Sequence, residues 1–235
     1  MLGIIGAMPI EIEKIKSSMT DIKHTVISGM DFYTGAVEGE DVALCISGVG
    51  KVNAAAAAQT MILKYAPDAV INTGVAGGLD TDLKVGDIVV ASAVVEHDMD
   101  TSGVGDPVGY ISGLNKIYIE TDDEISGRIY EIAENIAFTK RGIIASGDQF
   151  ICTDEARGRI IDLFGASAAE MEGASIGHIC AMNGVKFAVI RAVSDNANSD
   201  SHMSFAEFTE LAAERSIKIL LEYIKSVKED KNGKN

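Results

Sequence analysis

The chain has 235 residues, 47% hydrophobic and 23% charged, which suits one α/β domain with a substantial core and excludes a disordered or membranous protein. Asp and Glu outnumber Lys and Arg by 35 to 20, and the resulting charge of −15 repels phosphate backbones, so nucleic acid is not an expected partner. No apolar run reaches spanning length and no secretion signal opens the sequence, so the expectation is a cytoplasmic protein without a membrane partner. Cys45, Cys152 and Cys180 are odd in number, widely spaced and without a metal or disulfide pattern; they read as small hydrophobes in a reducing compartment.

Leu2–Gly6 reads as a first strand, and Pro9 suits the first turn of a helix carrying Glu11, Ile12 and Ile15. His24–Ser28, Asp31–Val37 and Val42–Ile46 read as a strand meander, with Ser28-Gly29 and Glu38-Gly39 as turns. Ser47-Gly48-Val49-Gly50-Lys51 follows, then an alanine-rich helix from Val52 to about Tyr65. Ala69–Asn72 is a buried strand running into Thr73-Gly74-Val75-Ala76-Gly77-Gly78, and Asp87–Ala91 and Ala93–Glu96 supply further strands. Residues 97–117 are polar, glycine-rich and without period, which predicts a loop with scope for motion. Asp122–Phe138 has helical periodicity, and Gly142–Ser146 is a strand ending in Gly147-Asp148-Gln149-Phe150-Ile151. Helices are predicted near 154–164 and 173–183, then a strand at 186–193 and a closing helix from Ser204 to near Lys228. Ser204-Phe205-Ala206-Glu207 has the form of a capping box.

Without repeats or a domain linker, this alternation predicts one three-layer α/β/α domain over residues 1–228, followed by a polar tail at 229–235.

In an open α/β sheet, side chains at the carboxyl ends of strands face a ligand crevice. The run Ala188–Asp195 delivers Arg191 and then Asp195 to such an end. Glu11 follows the first strand, and Glu172 sits in Ala169-Glu170-Met171-Glu172-Gly173. Three acids and one arginine so placed point to acid/base chemistry on a neutral or cationic substrate. The bland alternatives are a dipole-favoured surface charge for Glu11, a salt bridge for Arg191 and Asp195, and core packing for Phe150, Met171 and Phe205. The glycine turns at 47–51, 74–78 and 147–148 allow close backbone approach, yet none has the spacing of a P-loop or a dinucleotide fingerprint.

Taken in order, Gly6-Ala7-Met8 with Glu11, Ser47–Val52, Asn72–Gly78, Leu83–Asp87, Ser146–Ile151, Glu170-Met171-Glu172 and Arg191–Asp195 resemble the 5′-methylthioadenosine/S-adenosylhomocysteine nucleosidases, within the wider nucleoside phosphorylase fold. The resemblance extends from Gly3 to the final helix. It implies a twisted, mixed central sheet flanked by helices, a homodimer, no metal or organic cofactor, and an adenine nucleoside as small-molecule substrate. Cleavage between adenine and a 5′-thioribose would belong to methionine salvage. Cleaving that bond requires an acid to protonate the departing adenine, negative charge near the cationic ribose, and a base to activate water.

The resemblance implies Asp195 as the acid, Glu11 as the base and Glu172 as acceptor for a ribose hydroxyl, with Arg191 orienting water and acids. It also implies Phe150 stacked on adenine, the Ile151 backbone reading its edge, and Met171 lining the ribose. Val49 and Phe205 would line the 5′-thio pocket, with Met8, Val75, Ala76 and Gly77 completing the substrate site.

Phosphorolysis on the same fold needs cationic donors below the ribose. The first loop instead carries Glu11 and no arginine, which favours water as nucleophile. Val75 departs from the serine or threonine of related sequences, and the continuation of the 97–117 loop is less aromatic than theirs. The alternatives are therefore a purine nucleoside phosphorylase, a futalosine-type nucleosidase, or a nucleoside-binding module with impaired catalysis. His97 and His202 read as structural or rim residues.

Overall fold

The computed structural model describes residues 1–198 and 201–233, the second segment with side chains at 205 and 207–230. The first strand, β1 (Leu2–Gly6), is followed by a 3-10 turn at Pro9–Glu11 and a short helix α1 (Glu13–Ser17). Proline opens that turn, so Glu11 closes one tight turn rather than lying within a helix. A meander follows, formed by β2 (Met19–Ile27), β3 (Met30–Val37) and β4 (Glu40–Ile46), and leads into α2 (Lys51–Tyr65). Then come β5 (Ala69–Gly78), β6 (Ile88–Glu96), the two-residue β7 (Ile119–Glu120), α3 (Asp123–Glu134) and β8 (Thr139–Ser146). The chain ends with α4 (Asp154–Phe164), β9 (Ala166–Glu170), α5 (Gly173–Asn183), β10 (Lys186–Asp195) and α6 (Ser201–Gly233).

All ten strands share one sheet, in the order β2-β3-β4-β1-β5-β9-β8-β6-β10, with β7 beside β6. The last strand also pairs with β5, so β5, β9, β8, β6 and β10 close into a ring from which β1, β4, β3 and β2 extend. The sheet is mixed: β1 is parallel to β4 and β5, and β5 to β10, while β10 meets β6 antiparallel.

Side-chain alternation divides the core. Ile4, Leu44, Ile71, Ala188 and Ile190 face a layer that includes Ile15, Ile129 and Ile217 from α1, α3 and α6. Their neighbours Ile5, Cys45, Val70 and Val189 face Ala57, Met61, Ile176 and Cys180 from α2 and α5. Strands buried on both faces are apolar at nearly every position, which explains why β1, β5 and β10 read as continuous runs. A third cluster packs α4 against Leu79, Val95 and Ala145. Among the described residues, no helix is long and apolar enough to cross a membrane.

Several boundaries differ from those predicted. The segments 87–91 and 93–96 form the single strand β6, interrupted against β8 by a bulge between Ala91 and Ala93. The helix predicted over 122–138 ends at Glu134, because Asp122 is its cap and β8 claims the chain from Thr139. The closing helix begins at Ser201 and continues to Gly233, past the predicted end near Lys228. The predicted capping box involves Ser204, whose side chain lies outside the described residues, as does that of His202. Residues 97–117 are a loop with internal order: Gly109 N–H donates to Met99 C=O at 2.7 Å, and Ile111 bridges Lys116.

Candidate active site

The parallel strands bring their carboxyl ends to one edge, and each end delivers an acid, a donor or a close backbone. Beyond β1, Glu11 is buried, with Oε2 accepting the Ala7 and Met8 amides at 2.8 Å each. Its Oε1 accepts the Val75 N–H at 3.2 Å. Gly74 permits this approach, since a Cβ there would lie 2.4 Å from Glu11 Oε1. Burial pushes the Glu11 carboxyl above its ordinary range, against the opposing pull of Arg191 and the three amides.

Arg191, on β10, is the largest fully buried side chain. Its Nη2 donates to Glu170 and to Asn72 Oδ1, and it lies 3.9 Å from Glu172 Oε2. The Asn72 amide in turn donates to Ile5 C=O at 2.9 Å, tying the guanidinium to β1. Glu170 accepts the Ser146 hydroxyl and the amides of Glu172 (3.1 Å) and Gly173 (2.9 Å), the opening peptides of α5. Glu172 Oε1 accepts the Gly50 N–H at 2.8 Å. Burial, reinforced by Glu170, pushes its carboxyl up to about 8 despite Arg191 and the Gly50 amide.

Asp195 reaches the site through a bulge: Val193 pairs with Ala76 and Asp195 with Gly77, leaving Ser194 extra. Such a bulge re-aims the following side chain. Asp195 Oδ2 accepts the Ser194 hydroxyl at 2.9 Å, and Oδ1 accepts the Ala197 N–H at 2.9 Å. A cavity of about 30 Å³ is lined by Asp195, Gly77, Gln149, Phe150, Ile151 and Met171, among others. Phe150 forms its outer wall, 39% exposed and edge-on to Phe205 at 5.6 Å. A groove of about 800 Å³ between Asp68, Arg128 and Tyr223 lies at the opposite, amino ends of the strands.

Of the expected acids, Glu11 and Glu172 converge on Arg191 and Glu11 is no surface charge, whereas Asp195 stands apart, held by Ser194 and Ala197. Gly77, Phe150, Ile151 and Met171 share the Asp195 cavity, and Phe205 joins it through Phe150. Val75 and Ala76 pack their side chains into opposite core layers and offer backbone to the site. Met8 contributes its N–H to Glu11, while Val49 is a half-exposed rim residue. His97 is buried with Nε2 unpartnered among the described residues, set against the missing side chain of Gly147.

Glu170, Asn72 and Ser146 lie within motifs read from the sequence but received no role there; the structure places Glu170 and Asn72 against Arg191, and Ser146 against Glu170. The signal for Glu170, an acid at the end of Ala166-Ser167-Ala168-Ala169, is muted because alanine and serine are weak strand formers and β9 is not predicted from the sequence. Three buried carboxyl groups, Glu11, Glu170 and Glu172, thus surround one buried guanidinium, an arrangement suited to a substrate that becomes cationic.

The phosphorylase superfamily model matches residues 1–225. A 5′-methylthioadenosine/S-adenosylhomocysteine nucleosidase of Shewanella halifaxensis is 38% identical over 229 residues, covering 96% of this chain and 99% of that protein. The crystal structure of the nucleosidase of the same name from Neisseria meningitidis, in complex with methylthio-immucillin-A, superposes with a TM-score of 0.93 at 36% identity, covering 96% of this chain and 98% of that one. A futalosine hydrolase from Helicobacter pylori superposes with a TM-score of 0.92, also at 36% identity, covering 96% and 97%. With its acids, its arginine and its glycine turns in one crevice, the chain belongs to the 5′-methylthioadenosine/S-adenosylhomocysteine nucleosidase family of the phosphorylase superfamily.

Proposed function

We propose that this protein hydrolyses the N-glycosidic bond of 5′-methylthioadenosine and S-adenosylhomocysteine, releasing adenine and the 5′-thioribose. The observation that carries this reading is the electrostatic imbalance around Arg191. Glu11, Glu170 and Glu172 crowd one guanidinium, and two of the three carboxyls are pushed upward by burial. Positive charge developing on ribose relieves that crowding in the transition state, so the stabilisation is greatest where it speeds reaction. The same charge repels phosphate. Arg191, engaged by Glu170 and Asn72, is not free to cradle an anion, which favours water as nucleophile.

In this reading Glu11 takes a proton from water as it attacks the anomeric carbon, and its amide donors fix the direction of the accepting oxygen. Glu172 has Oε1 engaged by Gly50, leaving Oε2 for a ribose hydroxyl. Asp195 protonates the imidazole ring of adenine, with Ser194 and the Ala197 amide holding the carboxyl in line. Phe150 stacks on the base, Met171 lines the sugar, and Val49 and Phe205 border the 5′-thio group.

We place the enzyme in the cytoplasm, in methionine salvage, as a homodimer. The dimer is supported by exposed apolar residues on two adjoining helices, Val52 and Leu63 on α2 and Met182 on α5, joined by the Asn183–Gln59 hydrogen bond. The similarity to futalosine hydrolase supports a second substrate reading, a futalosine-type nucleoside at the same acids.

Release of the free purine base from each of the three nucleosides, adenine from the two thionucleosides and hypoxanthine from futalosine, with and without phosphate, tests the proposal. Free thioribose formed without phosphate is the expected result. Sugar 1-phosphate formed only with phosphate would overturn the role of Glu11. Turnover of futalosine alone would transfer the same chemistry to the second reading, and nucleoside binding without turnover of any would make the chain a binding module.

A further inference from the structure

Helix α2 begins with Lys51, a cation at the positive end of the helix dipole, where acids and small capping side chains are favoured. Such a local conflict calls for a compensating contact. The Lys51 ammonium lies 2.7 Å from Asp98 Oδ1 and 3.0 Å from Glu96 Oε2, both at the end of β6. The other oxygen of Glu96 meets His178 Nδ1 at 2.9 Å. Although burial opposes it, hydrogen bonds from His178 and Lys51 hold Glu96 below the ordinary carboxylate range, and Lys51 with the Asp148 amide does the same for Asp98.

The main chain of Lys51 is fixed as well. Its N–H donates to Asp148 Oδ1 at 2.7 Å, and its C=O accepts the Ser175 hydroxyl at 2.7 Å. The Asp148 N–H donates back to Asp98 Oδ2 at 2.8 Å, closing a circuit through Lys51, Asp98 and Asp148. One residue before Lys51 is the Gly50 amide that donates to Glu172; two residues beyond Asp148 is Phe150. Gly50 has φ +98°, a backbone state with little intrinsic preference for the orientation that Glu172 requires.

We propose that Lys51 is a positioning residue of the nucleoside site, whose ion pairs with Glu96 and Asp98 hold the Gly50 amide on Glu172 and the Asp148 loop in front of Phe150. The inference rests on the nucleosidase reading for its effect on turnover, but not for its effect on Glu172. Removing the ammonium leaves Glu96 with His178 and Asp98 with the Asp148 amide but takes away the one cation they share, and the repulsion between the two carboxylates parts the end of β6 from the start of α2. The Gly50 amide then loses its fixed distance to Glu172.

Two measurements on the full-length protein test this. The first follows the Glu172 carboxyl by carbon-13 NMR through a pH titration of wild type and Lys51→Met. Glu172 is faced by Glu170, Arg191, Glu11 and the Gly50 amide, and the variant alters only the last. Glu172 should therefore titrate higher in the variant, and Lys51→Arg should restore it; an unchanged titration overturns the proposal.

The second is a double-mutant cycle on adenine release. Lys51→Met should lower kcat about 10- to 100-fold in the wild-type background, as a displacement near the reacting groups does. In a Glu172→Ala background it should cost far less, because the acceptor of the Gly50 amide is already gone. Equal losses in both backgrounds would make Lys51 a structural residue only. If the wild type releases no adenine, the nucleosidase reading fails and the NMR titration alone decides the proposal. Should Lys51→Met fail to fold, Asp148→Ala, at an exposed position, breaks the same circuit and should raise the Glu172 titration in the same direction.

Discussion

Glu172 carries the clearest consequence of burial at the scale of a single residue. The unfolded chain releases its proton near the ordinary value of 4.5, and the folded chain holds it to about 8. The native state thus binds the proton more tightly, so the stability gained from the protonated form is complete below pH 4.5 and is lost as pH rises towards 8. Glu172→Gln should flatten that slope and raise Tm at pH 8, by roughly 2–4 °C for each kcal/mol recovered. It should also depress turnover, a trade of activity against stability; scanning calorimetry from pH 5 to 8 checks it. Asp195→Asn should fold normally and lose about 10²- to 10⁴-fold in kcat, since an amide cannot deliver the proton. Near-wild-type turnover with an unchanged circular dichroism spectrum would remove Asp195 from the acid role. Glu11 must be ionised to accept a proton from water, and burial raises its pKa, so the acidic limb of kcat/KM should lie above the ordinary glutamate range.

Two predictions belong to the scale of the element. A side chain at Gly74 would drive into the Glu11 carboxyl at the end of β5. Gly74→Ala should therefore displace the base from the Val75 amide and lower kcat by about 100-fold. The purified variant's pH–rate profile should show the acidic limb displaced upward; an unaltered profile would mean that Glu11 is held by Ala7 and Met8 alone. The carboxyl end of α2 offers a purely structural test, because its cap, Ala66, sits at φ +44°. The left-handed conformation costs a non-glycine residue about 1–2 kcal/mol, so Ala66→Gly should stabilise the protein, with a gain of a few degrees in Tm and unchanged kcat.

Charge and surface set the expectations for the whole molecule. Exposed Val52 and Leu63 on α2 lie beside Met182 on α5, and the homodimer proposed above would cover them. Leu63→Glu should shift the protein to a monomer in sedimentation velocity; a wild type that already sediments as a monomer would dismiss the dimer.

The sequence by itself determined the order of strands and helices apart from β7 and β9, the division into apolar strands with polar turns, and the candidates Glu11, Glu172, Arg191 and Asp195. These signals are local. A strand buried on both faces must be apolar, and an acid at its end must be there for a reason other than packing. What sequence could not determine depended on distant pairing. The closure of β10 onto β5 joins residues more than a hundred positions apart, and β9, built of alanine and serine, becomes a strand because β5 and β8 offer it free edges. Local propensity does not encode such partners. The bulge that turns Asp195 into the crevice, and the identity of Glu170 rather than a nearer acid as the ion-pair partner of Arg191, were decided for the same reason. Burial in the tertiary structure, which no short segment can show, then set the protonation of the carboxylates that would carry the chemistry.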